Sequence, residues 1–330
     1  MRTRLRLFII CVVAIGILTA CGSNDQDFEV NHSSNLVEER SQSDNREETA
    51  FPITLTDGQD NEVTIEDKPE RIASLIPSNT EILFALGLNE EIVGVSDFDN
   101  YPEEALEKEK IGSMEFNVEK IISLEPDIVF AHGSSAHNSE SGLDQLRDAG
   151  IRVVVVNDAS TFADVYQSIE MIATATGTDK KGQEIIEEMK DRIVEIEERV
   201  SAIEPDDEVT VWVEVQPAPD LYTTGKGTFM DEMLSIIKAK NVAGDEEGWV
   251  SYTEEDAVKS NPDVIVLTYG SYVENAVEQV LRREAWQSVP AIQNGRVYDL
   301  ESDLVDRSGP RLVEGIEELA HAVYPESVAQ

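Results

Sequence analysis

Cysteine is nearly absent: the 330 residues hold two, Cys11 and Cys21, both close to the N-terminus. A body without cysteine has no disulfides and no thiolate-ligated zinc. Basic residues are few, 26 Lys and Arg against 67 Asp and Glu, for a formal net charge of −41. So acidic a surface, with no basic patch, excludes a nucleic-acid footprint and electrostatic attachment to anionic lipid. The acids run along the whole chain, so they read as a solubility device for a salty or alkaline setting rather than as a site for one cation. Aromatics are scarce at 6%, and there are four histidines. The catalytic signatures G-x-S-x-G and H-E-x-x-H do not occur. "TTGKGTF" fails as a phosphate loop because Asp220 stands where the first glycine belongs.

What is present begins with the leader. Arg2, Arg4 and Arg6 precede an apolar stretch, Leu7 to Leu18, too short to span a bilayer comfortably. It ends Leu18-Thr19-Ala20-Cys21, which resembles the lipobox of bacterial lipoproteins, where the thiol is acylated and the preceding peptide removed. The expected product is an exported body, lipid-anchored through Cys21 on the outer face of the cell membrane. The alternatives are an ordinary signal peptide cut near Ala20 or an uncleaved anchor. Residues 21–50 are polar and without periodicity, and read as a disordered linker.

The body alternates strands and helices. "ITLTDGQDNEVTI", from Ile53, alternates apolar and polar residues around Asp57-Gly58, a hairpin signal. "RIASLIPSNTEILFALGL" gives a strand, a proline and a helix, with Ser78 and Glu81 spaced as a capping box and Gly87 at the helix end. Strand "EIVGVS", helix "NVEKIISLEP", strand "DIVFAH", helix "SGLDQLRDAG" and strand "IRVVVV" follow. Continuous apolar strands between helices predict a parallel sheet covered on both faces. Over 178–203 the rhythm changes: Ile185, Met189, Ile193, Ile196, Val200 and Ile203 recur at helical steps. A helix of about 26 residues, roughly 39 Å, would be a strut between two lobes. The second half echoes the first, with "NVEKIISLEPDIVFAH" matching "TEEDAVKSNPDVIVLT" 136 residues later. The expected organisation is an N-terminal lobe over 51–177, the joining helix over 178–203 and a C-terminal lobe over 204–330. Two such α/β lobes, Rossmann-like, bring the carboxyl ends of their strands to a common crevice.

The loops after those strands supply the candidate ligand-binding residues. His132 and His137 flank the loop after one strand; His132 reads as crevice lining or, with further ligands, a metal site. His321 reads as structural. Phe98, Tyr101, Phe116, Tyr222, Trp249, Tyr252, Tyr269 and Tyr272 fall near strand exits. They read as packing or as a wide apolar crevice for a bulky, flat ligand. Asp303 and Arg307 form either a polar clamp on that ligand or a surface ion pair.

"RIASLIPSNTEILFALGL", "VSDFDNYP", "NVEKIISLEPDIVFA", "LYTTGKGTFMDEML" and "SDLVDRSGPRL" resemble, in order, motifs of the substrate-binding proteins of bacterial ABC importers. The branch is the one serving cobalamin, iron–siderophore and haem uptake, and the nearest likeness is to the cobalamin-binding type. The resemblance implies two α/β lobes on one long helix with limited hinge motion, and no catalysis. It implies that Tyr222, Trp249, Asp303 and the Phe98–Tyr101 loop line the cleft. It also implies that Glu140 and Glu255, one per lobe, dock a permease dimer driven by its ATPase. Tryptophans that the cobalamin type carries near His132 and Leu304 are missing here. By the likeness to the cobalamin-binding type the expected ligand is a corrinoid; the two missing tryptophans keep a hydroxamate iron chelate or haem as alternatives, held by a monomer without a resident cofactor. For haem, Tyr101, Tyr269 or His132 would be the axial candidates. A metal-dependent enzyme in the same cleft is the alternative of another class.

Overall fold

The computed structural model describes residues 50–328. The leader, Cys21 and nearly all of the linker lie outside the described residues. Strands β1 (Ile53–Thr56) and β2 (Glu62–Ile65) form the expected antiparallel hairpin. Its turn is fixed by Asp57, whose Oδ1 accepts from Gln59 N and Asn61 N, each at 2.9 Å.

The N-terminal lobe then runs β3 (Ile72–Ser74), α1 (Pro77–Ala85), β4 (Ile92–Gly94), α2 (Val118–Ser123), β5 (Ile128–His132), α3 (Gly133–Asp148), β6 (Arg152–Val156) and α4 (Phe162–Thr176). Its four strands are parallel, in the order β4-β3-β5-β6. After α5 (Asp179–Arg199) the C-terminal lobe runs β7 (Thr210–Glu214), β8 (Leu221–Thr224), α6 (Phe229–Ile236), β9 (Lys240–Asn241), β10 (Trp249–Tyr252), α7 (Glu254–Lys259), β11 (Val264–Leu267), α8 (Ala276–Leu281), α9 (Pro290–Gln293) and β12 (Val297–Asp299). Helices α10 (Ser302–Val305), α11 (Leu312–Val323) and α12 (Pro325–Val328) close it. The second sheet, β9-β7-β11-β12, is also parallel. With strands counted within each lobe and the β8–β10 ribbon set aside, both sheets have the order 2-1-3-4. The sequence echo is therefore an echo of topology.

Two features were placed differently by the sequence. Ser78 and Glu81 do not form a capping box: Ile76 is the N-cap of α1 and makes no side-chain bond, and Pro77 takes the first helical position. Proline suits that position because its φ is preset and its missing N–H would be unpartnered anyway. Glu81 turns instead to two arginines, as described below. Helix α3 begins at Gly133, eight residues before the expected start, because His132 caps it: Nδ1 accepts from Ser134 N at 3.3 Å.

Helix α5 has 21 residues, about 31 Å, shorter than the periodicity implied. Ile185, Ile186, Met189 and Ile196 form its buried face. It lies close against α4, where a Cβ at Gly182 would meet Ala173 Cβ at 2.6 Å. One hydrophobic cluster runs from the first sheet (Ile128, Phe130) through α4 and α5 (Ile169, Ile186) to the second sheet (Val211, Val213). The alternate residues of the same strands face outward, Val129 and Ala131 into one smaller cluster and Trp212 into another. Period-two burial on both faces is what a parallel sheet between helices requires. A core continuous across the lobes resists a wide swing between them.

Candidate functional site

The strand exits of both sheets meet at a cleft of about 440 Å³, within the range of small-molecule sites. From the N-terminal lobe come Ile76, Pro77 and Ser78 after β3, His132 and Ser134 after β5, and Asp158 to Ser160 after β6. From the C-terminal lobe come Val215 after β7, Thr268 after β11, Thr224 and Trp249 from the ribbon, Thr228 to Met230 at the start of α6, and Val305 to Ser308. Trp249 stands opposite Thr224 across the ribbon, so the two side chains share the face that meets the cleft.

The lining differs from the expected aromatic crevice. Phe229 and Trp249 are its aromatics, while Ser78, Ser134, Ser160, Ser308, Thr224, Thr228 and Thr268 supply hydroxyls. Ser78 Oγ and Thr224 Oγ1 are buried without a hydrogen-bond partner among the described residues. Trp249 is 63% exposed, presenting its ring to an incoming molecule.

The candidates sort clearly. His132, Trp249 and Arg307 line the cleft. Tyr222 shares the ribbon face with Thr224, one pair farther along, and Phe98 is exposed on the loop after β4. Tyr101 faces a different cavity, of about 510 Å³, beside α5, where the Arg311 guanidinium sits 3.8 Å from its ring centroid. Phe116 does not reach the cleft: its ring lies against Gly142 of α3 and joins the outer core of the N-terminal lobe. Tyr269 is likewise a core residue and does not line the cleft. Its hydroxyl donates to Glu214 Oε1 at 2.6 Å. Tyr252 packs edge-on against Trp212, whereas Tyr272 is exposed. His137 and His321 are exposed on α3 and α11. Glu140 is exposed on α3, and Glu255, at the start of α7, pairs with Lys259 at 2.8 Å.

Asp303 and Arg307 belong to a clasp between the lobes. Arg307 Nη2 lies 2.9 Å from Asp303 Oδ1, and Nη1 donates to Glu81 Oε1 at 2.8 Å and to Asn100 Oδ1 at 2.7 Å. Asn100 Nδ2 donates back to Asp303 Oδ2 at 2.8 Å, and Arg311 approaches Glu81 at 3.4 Å. Burial raises the Glu81 pKa, with the two arginines opposing. The clamp and ion-pair readings of this pair thus merge, with most of the capacity spent inside the protein.

His132 is buried, and that burial lowers its pKa despite the opposing charge of Asp158. The ring is therefore neutral near pH 7 and, with Nδ1 accepting, carries its proton on Nε2. Asp306 is exposed to the cleft, yet the protein around its carboxyl, then repulsion from Asp303, pushes it up to about 7. Sequence reasoning missed Asp158 and Asp306. The first stands two residues after an apolar strand, so the strand-exit rule already contained the signal; the second was overshadowed by its neighbours Asp303 and Arg307. No three His, Cys, Asp or Glu side chains among the described residues are grouped to hold a metal ion.

A cleft between the carboxyl edges of two like-ordered parallel sheets, on one stiff helix, defines a two-lobed solute-binding protein. The comparisons make that particular: the chain belongs to the periplasmic binding protein family, whose model matches residues 72–304. It is 45% identical over 327 residues, 99% of each chain, to an uncharacterized ABC transporter substrate-binding lipoprotein, YvrC, of Bacillus subtilis. A possible iron-binding, periplasmic solute-binding protein of Staphylococcus epidermidis is 36% identical with a TM-score of 0.72, covering 78% of this chain and 100% of that one. The vitamin B12-binding protein BtuF of Vibrio cholerae is 26% identical with a TM-score of 0.64, covering 79% and 99%.

Proposed function

We propose that this protein is the receptor of an ABC importer, held outside the cell by lipid on Cys21, and that it captures a corrinoid such as cobalamin and delivers it to the permease. The likeness to YvrC along the whole chain supports the importer role, and the likeness to BtuF supports the corrinoid. The observation that carries the ligand class is the cleft lining itself. Its hydroxyls suit the carboxamides on a corrin rim, which both donate and accept. Among the described residues Arg307 is the only Lys or Arg on the lining, and it is already engaged by Glu81 and Asp303. Haem propionates or a catecholate siderophore would meet Asp158 and Asp306 with no free cation to balance them.

Titration calorimetry of the full chain in detergent tests this reading, with cyanocobalamin, haemin and a ferric hydroxamate as ligands. Cyanocobalamin is expected to bind at micromolar concentration or below and to quench tryptophan emission. Trp212 and Trp286 are fully buried, whereas Trp249 is exposed on the lining, so the loss of Trp249 should reduce the quenching most. Trp249→Ala should reduce the quenching and weaken binding about tenfold. Saturation by the hydroxamate alone would replace the corrinoid with that ligand.

The docking role of Glu140 and Glu255 belongs to the same proposal. Both are exposed, one on each lobe, and neither lines the cleft. Replacing both by Ala should leave affinity unchanged and reduce uptake by cells severalfold. A fall in affinity would show that the pair is misplaced.

A further inference from the structure

The two acids that flank Arg307 have opposite fates. Asp303 is consumed by Arg307 and Asn100. Asp306 lines the cleft, and its carboxylate has no hydrogen bond or ion pair with any described residue. Across the cleft, Asp158 is in the same condition. It leaves β6 at the edge of the lining, exposed, with no partner for its carboxylate among the described residues. Neighbouring groups cannot neutralise the two. His132 is uncharged near pH 7, as argued above, and Arg307 is turned to Glu81, Asn100 and Asp303. Both are exposed, so each lobe presents one acceptor without a protein partner to the same open cleft. In a cleft that water leaves on binding, an unpaired carboxylate is costly unless the guest supplies donors.

We propose that Asp158 and Asp306, one from each lobe, are ligand-binding residues that receive N–H donors on the ligand. The cleft then selects a neutral or cationic guest whose rim carries at least two such donors, and it discriminates against carboxylates at the same positions. The inference rests on the corrinoid reading, in which the donors are rim carboxamides. It assigns specificity to two residues that no motif indicated, and it removes Asp303 from the ligand's direct contacts.

The test uses calorimetry on the full chain in detergent at about pH 8.5, above the Asp306 pKa of about 7 so that both acids are ionised, with cyanocobalamin and its derivatives in which one carboxamide has been hydrolysed to the acid. Asp158→Ala and Asp306→Ala should each weaken cyanocobalamin binding about tenfold or more, because a charge-assisted hydrogen bond is lost. At least one mono-acid derivative should bind the unmutated protein much more weakly than cyanocobalamin does. That deficit should shrink in Asp158→Asn or Asp306→Asn, where the like-charge contact is gone. A purely structural role for either acid would not respond to the ligand's own charge. Cyanocobalamin binding by either Ala variant at unmutated affinity overturns the inference and leaves the corrinoid reading standing. Failure of the unmutated protein to bind cyanocobalamin sinks both.

Discussion

The two lobes share a scaffold and differ in what has been added to it. Each opens its helix–strand repeat with a side-chain cap, Asn117 on α2 and Thr253 on α7. Each then uses the aspartate of a Pro-Asp step to hold the start of its first sheet strand. Asp127 accepts from Arg71 N at 2.9 Å, and Asp263 from Thr210 N at 3.0 Å. The C-terminal lobe adds the β8–β10 ribbon, which brings Trp249 and Thr224 to the cleft. It also buries a charge. Glu214, fully buried, accepts from Tyr269, from both Nη atoms of Arg283 and from Trp212 Nε1. At the end of β3 the N-terminal lobe has only a hydroxyl pair, Ser74 with Thr80. The scaffold was repeated, whereas the ribbon and the fully buried Glu214 cluster at the end of the first sheet strand belong to one copy.

That asymmetry predicts the largest effect. Glu214→Ala strands Arg283 and two neutral donors in the core and should cost about 3–5 kcal/mol. Ser74→Ala should cost about 2 kcal/mol, because its hydroxyl accepts from Thr80 and donates to Ile76 O. Chemical denaturation of both variants measures the ratio. Equal losses would mean that the charged cluster gives the C-terminal lobe nothing its twin lacks.

The caps probe the shared part. Asn117→Ala and Thr253→Ala should each cost about 1 kcal/mol, and by similar amounts, because each removes one acceptor from a short helix of six residues. Shifts in urea midpoint that differ several-fold would show that the repeat is one of geometry but not of energy.

This division also marks what could be read in the sequence. The hairpin, the caps, the Pro-Asp steps and the 136-residue echo are local patterns, and the structure reproduces them because backbone bonding within a few residues sets them. Ser78 and Glu81 have the right spacing for a box, yet Glu81 is held by Arg307, 226 residues away, and no local rule reports that. Tyr269 and Phe116 sit at strand ends like Trp249. What separates them is a buried carboxylate in one case and a bare glycine face on α3 in the other. The fold was legible because its signals are periodic. The site was half legible, since position at a strand exit can be read while the direction of a side chain depends on partners far along the chain.

The smallest expected effect compares the satisfied carboxylate of Glu214 with the unsatisfied one of Asp306. Burial and Asp303 push the Asp306 carboxyl up to about 7 from an ordinary 3.8. Between about pH 4 and pH 7 the folded chain therefore holds a proton there that the unfolded chain has released. The stability tied to that proton is complete below about pH 4 and is lost as pH rises through 7. Asp306 meets solvent in the cleft, so screening keeps the change under about 1 kcal/mol. Other acids titrate in the same window, which makes the difference between unmutated protein and Asp306→Asn the informative quantity. From pH 4 to pH 8 the Asn variant should gain stability relative to the unmutated chain, measured as urea midpoints at each pH. Parallel curves would mean that the cleft wall leaves Asp306 as well solvated as an open surface does.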